Sequence, residues 1–171
     1  MSSSPSANSQ TTLGEEDKKL LVEAWKKTIE VQQHFNDLSW RIRALWLTAL
    51  TFTLGATFLA YKDAKRINMG FLGDESPSLI IPILGLFLWV AFWFVDGVWY
   101  HRLLVGSVKE GARLEAALTE AGLHIELTGA IGKNSPINFL GKKLHSSDRL
   151  NIFYGLGGLP LVLTVVLLVW R

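Results

Sequence analysis

Three runs of this chain carry no charged side chain for nearly the thickness of a bilayer, and nothing else in the sequence limits the fold as strongly. The first covers residues 44–61, from Ala44 to Tyr61; the second runs from Leu79 to Val95, and the third from Ile152 to Trp170. At ~1.5 Å per residue, a helix of about 18 residues rises about 27 Å, close to the hydrocarbon thickness of a membrane. A backbone inside lipid must satisfy its own amides, which a helix does without any neighbour. The sequence therefore predicts an all-α integral membrane protein with about three transmembrane helices. Its composition agrees: 49% of residues are hydrophobic while 19% are charged, so the two kinds are segregated along the chain.

With 171 residues there is room for one compact domain. Cysteine is absent, which excludes disulfides, thiolate catalysis and cysteine-ligated metal centres. A formal charge of +2 is too mild for a nucleic-acid partner, which calls for basic residues clustered on one face.

Residues 1–14 hold no charge and little apolar bulk, and are expected to be a disordered tail. They lack the basic start and apolar run of a signal peptide. Thr12 and Glu15 have the spacing of a capping box, so a helix is expected to begin there. Residues 15–43 read as a cytosolic amphipathic helix. Leu21, Trp25, Thr28, Gln32, Phe35, Ser39, Ile42 and Trp46 follow alternating steps of four and three along one stripe. The opposite face carries Lys26, Lys27, Glu30, Asp37 and Arg41. Such a stripe packs either on its own chain or, as a weak coiled-coil seam whose polar members set register, on further copies. No helix breaker separates it from the first span, so one continuous helix is predicted from about Glu15 to Tyr61.

Charges, glycines and Pro77 between Lys62 and Ser78 mark a short connecting loop. The second span is predicted over residues 79–100, with Pro82 in its first turn, where a missing amide costs little. Residues 101–147 divide into a helix that leaves the membrane, ending at Gly122, and an irregular segment from His124 to Ser147. Asp148 and its serine neighbours are candidate caps for a third span over residues 150–170. Gly155, Gly157, Gly158 and Pro160 soften that span, so a re-entrant helix is the alternative.

Six Lys or Arg precede the first span, three lie in the loop 62–78 and seven lie between 101 and 152. The positive-inside rule then places the N-terminus in the cytoplasm and the C-terminus outside.

Chemistry-bearing motifs are sparse. Gly129 to Ser135 resembles a phosphate loop, but Leu127 replaces its first glycine and Asn134 follows Lys133, so a flexible turn is expected. His34, His101, His124 and His145 lack the spacing of metal ligands, and no nucleophile or paired-carboxylate motif stands out. Neither cofactor nor metal is expected. Asp96 is the one acid within a hydrophobic span. An ionisable group at that depth requires a partner or a water-filled cavity, so Asp96 either pairs with His101, Arg102 or Arg43 or serves a pore or proton path. Trp40, Trp46, Trp89, Trp93, Trp99 and Trp170 fall near span ends and are expected to be mostly interface anchors.

The run from Trp25 through Gln32, Gln33, His34, Phe35, Asn36 and Asp37, continuing through Arg41 and Arg43 into a span, resembles the leading segment of the RipA family of small bacterial membrane proteins. That resemblance implies a bacterial cytoplasmic-membrane homo-oligomer, an octamer, with no assigned reaction. A cytosolic helix leading into a hairpin of spans is also similar to SLATT-type membrane effectors of bacterial defence. The expected function is a non-enzymatic inner-membrane assembly whose partners are lipid and further copies, with a ring enclosing a pore. The competing expectation is an anchor or regulatory subunit that docks a cytosolic protein.

Overall fold

The structure is a computed structural model and describes residues 14–63, 67–68, 74–139 and 141–170. The expected tail up to residue 13, including Thr12 of the capping box, lies outside the described residues.

Helix α1, Glu15–Asp63, is a single helix of 49 residues. Glu15, Glu16 and Asp17 occupy its first turn, where acidic side chains complement the helix dipole, and Gly14 N–H donates to Asp17 Oδ2 at 3.2 Å. A second rod of 44 residues lies antiparallel to it. This rod joins helix α2, Pro77–Trp93, a π-helical segment, Phe94–Tyr100, and helix α3, His101–Glu120. Contacts along the two rods keep one register: Thr53 lies at Gly85, Trp46 at Phe92, Phe35 at Tyr100, and Gln32 at Ser107. A short helix α4, Leu127–Asn134, then leads back to helix α5, Ser146–Val169. Helix α5 runs antiparallel to α2, its main neighbour, with Trp93 near Asn151, Trp89 at Tyr154 and Gly85 at Leu161.

Three helices are thus long and apolar enough to cross a membrane, and the chain is an all-α, multi-pass membrane protein. At ~1.5 Å per residue, α1 is about 74 Å long, more than twice the hydrocarbon thickness. Its half below Arg43 consequently projects beside α3 as a two-helix stalk. Outward apolar side chains in the membrane half, among them Phe52 at 76% and Phe87 at 70% exposure, suit lipid contact.

Several expectations need correction. Pro77, not Pro82, takes the N-terminal position of α2; Pro82 lies a turn further in, buried. The connection after α1 holds a small antiparallel pair, β1 Ile67–Asn68 and β2 Asp74–Glu75. The segment 124–147 is not irregular: besides α4 it forms a hairpin of β3, Ile137–Phe139, and β4, Lys142–Leu144, reversed at Gly141 with φ of 77°. Helix α5 is continuous over 24 residues, about 36 Å, unbroken by its glycines and Pro160 and long enough to cross. His145 is its N-cap, and Asp148 contributes from the first turn by accepting the His145 N–H at 2.9 Å.

Trp46 and Trp89 are core residues, not interface anchors. Trp46 is 1% exposed and clusters with Leu150, Tyr154 and Leu161, while Trp89 packs against that group and donates Nε1–H to Tyr154 O at 2.8 Å. Trp46 Nε1 is the one buried side-chain polar atom without a partner among the described residues. Gly157 and Gly158 are explained by the same packing. A Cβ at Gly157 would stand 2.8 Å from Trp46 Nε1, and one at Gly158 would stand 2.5 Å from Trp89 Cε2. The glycines that soften α5 on paper let two indoles lie against it. Trp40, Trp99 and Trp170 remain exposed near the ends of the apolar segments, as belt residues are.

Candidate functional site

The polar centre of the membrane half lies where the stalk begins. Arg43 Nε donates to Asp96 Oδ2 at 2.7 Å, Arg43 Nη2 reaches Oδ1 at 3.5 Å, and Tyr154 OH donates to Oδ2 at 3.3 Å. One residue from each membrane-crossing rod meets here. Asp96 is fully buried, whereas the Arg43 side chain keeps 26% exposure and its guanidinium lies 5.8 Å from the Trp40 ring. Arg43 thus bridges an interior carboxylate and the membrane boundary.

The π-helical segment places Asp96. His101 N–H donates to Asp96 O, five residues back, so the helix is locally wider than an α-helix. Gly97 permits the approach of α5, since a Cβ there would stand 2.9 Å from Leu150 Cδ2. No local signal in Phe94–Tyr100 announces a π-turn, so it was not expected from sequence. Of the three partners foreseen for Asp96, Arg43 is the one in contact. With both oxygens engaged and no exposed surface, Asp96 acts as a strut between helices and does not line a pore within one copy.

A second polar node ties the stalk together. Glu115, on α3 and 6% exposed, accepts Trp25 Nε1–H at 3.2 Å and the Thr128 N–H and Oγ1–H at 2.9 and 2.8 Å. Burial pushes its carboxyl upward; bonds from the Thr128 amide and hydroxyl, Trp25 and the Gly129 amide outweigh that and hold it below the usual carboxylate range. Glu115 thereby caps the start of α4, where free amides favour an anion. Gly129 and Lys133 consequently lie in a helix and not in a flexible turn. Two turns further along, Gln32 Nε2 donates to Ser107 O at 3.0 Å, and Gly111 leaves it room, because a Cβ there would stand 2.6 Å away.

These contacts reassign the stripe on α1. Trp25, Gln32 and Phe35 face the chain's own second rod, Ser39 is 3% exposed, and Leu21, Thr28 and Ile42 are half-buried along the same line. The Thr28 hydroxyl bonds to Ala24 O, in its own helix. Of the two expectations for the stripe, packing on its own chain and packing on further copies, the contacts of Trp25, Gln32 and Phe35 fit the first. Sequence periodicity locates a seam but does not name the helix that fills it.

Among the described residues, no group of three or more histidine or acidic side chains is placed to hold a metal ion. The chain matches no protein-family model, no curated protein and no solved structure.

Proposed function

We propose that this protein is a non-enzymatic homo-oligomer of the bacterial cytoplasmic membrane, with its N-terminus and stalk in the cytoplasm, whose copies associate side by side through their stalks. The observation that carries this reading is the thinness of the stalk. Two helices and the short α4 bury only a handful of side chains, chiefly Ser39, Leu114, Glu115 and Leu118, while Leu20, Val31, Leu103, Val105 and Val108 stay exposed. A helix pair can seal only one stripe of each member, and apolar side chains left outside that stripe are covered when further helices pack on the pair. Closed symmetric association of identical chains is the usual way to supply them, and a closed ring leaves a central passage. Orientation rests on the excess of Lys and Arg flanking the stalk side.

The absence of cysteine gives a clean test, because single-cysteine variants carry no background thiol. Val31→Cys and Val108→Cys are treated in intact membranes with a short bismaleimide. Covalent dimers made only of this chain are expected from at least one of them. Monomer from both would overturn the assembly, and a covalent product with a different protein would favour the anchor reading.

A further inference from the structure

We propose that the groove between α1 and α5, at the end of the membrane half far from the stalk, is a binding site for a phospholipid, whose acyl chain lies in the groove and whose phosphate meets Lys62. Both helices pack on α2 and touch each other little, so they leave a cleft of about 390 Å³. Leu54 and Phe58 of α1 and Leu167 and Leu168 of α5 form its apolar walls.

Two threonines in the lining carry hydroxyls, yet neither hydroxyl needs a ligand. Thr57 Oγ1 donates to Thr53 O and Thr164 Oγ1 to Pro160 O, each at 2.7 Å. With both hydroxyls satisfied inside their own helices, the threonines ask for no polar guest, so hydrocarbon fits the groove better than an ion does. Both flanking segments belong to the apolar lengths that cross the membrane, which puts the groove at acyl-chain depth.

Charge at the mouth selects the headgroup. Tyr61 lines the outer end, and the next residue, Lys62, is the first cation after the apolar run; its Nζ lies 5.3 Å from the ring of Phe58, a groove residue. The ammonium therefore stands at the rim, at the level where lipid phosphates lie.

Native mass spectrometry of the full chain, released from mild detergent with added phosphatidylglycerol, tests the site. The chain as it stands should retain one more lipid per copy than a Thr164→Phe variant, whose ring fills the groove. Lys62→Gln should weaken retention severalfold, and Lys62→Arg should restore it. Melting curves of the Thr164→Phe protein identify loss of fold, and Leu54→Phe fills the same groove from the other helix if that occurs. Equal lipid retention by the wild type and a folded groove-filled variant would overturn the proposal. So would a change in subunit number with unchanged lipid, since the groove would then hold a second copy.

Discussion

Asp96 shows how far one residue's role depends on its partners. Its carboxylate is buried at the junction of membrane and stalk and is held by Arg43 and Tyr154. Removing one charge of such a pair leaves the other uncompensated, whereas removing both can be almost neutral. Arg43→Met, which leaves the fully buried Asp96 unpaired, is therefore expected to cost about 3–5 kcal/mol, and Arg43→Met with Asp96→Leu to return within about 1 kcal/mol of wild type. Thermal unfolding in one detergent reads both; additive losses would show that the two residues do not act as a pair. Glu115 offers a test by pH. Its titration in the folded protein lies below that of the unfolded chain, so its bonds stabilise fully above the unfolded value. That contribution is lost as pH falls through the folded value. Melting temperature should therefore drop more steeply from about pH 5 down to about pH 3, through and below the ordinary carboxylate value, in wild type than in Glu115→Gln. Parallel slopes would contradict the assignment.

At the scale of helices, the periodicity that marks Leu21, Trp25, Gln32 and Phe35 as one face describes a packed face, and charge-free length alone identifies the three crossing helices. The filler of that face was not legible, because a stripe carries no address. Nor were α4 and the β3–β4 hairpin: Gly129 and Gly132 weaken helix propensity, and Glu115, which caps α4 from another helix, is invisible to a local reading. The π-helical segment that holds Asp96 likewise has no local signature in Phe94–Tyr100. The intrachain seam makes two contrasts testable. Trp25→Asp removes a large side chain and sets a second carboxylate beside Glu115, costing on the order of 3 kcal/mol. Lys26→Asp, on the exposed face, should stay within about 0.5 kcal/mol. Similar unfolding curves for the two variants would mean the seam is misplaced. Gly158→Leu should be worse than Gly155→Leu, because Trp89 occupies the space beside Gly158 while Gly155 has nothing within 4 Å. Proteolytic resistance of the purified variants would rank them.

The whole molecule combines a lipid-fitted bundle of three helices with a thin stalk at least as long as the bilayer core. A single copy buries its polar centre well and its stalk poorly, and that imbalance is why the account rests on assembly. The most direct measurement is the mass of the protein extracted with its surrounding lipid into polymer-bounded discs, without detergent exchange. The account predicts particles whose protein mass is several times 19.1 kDa and made of this chain alone. A population carrying one copy of 19.1 kDa each, at protein densities matching the native membrane, would contradict it.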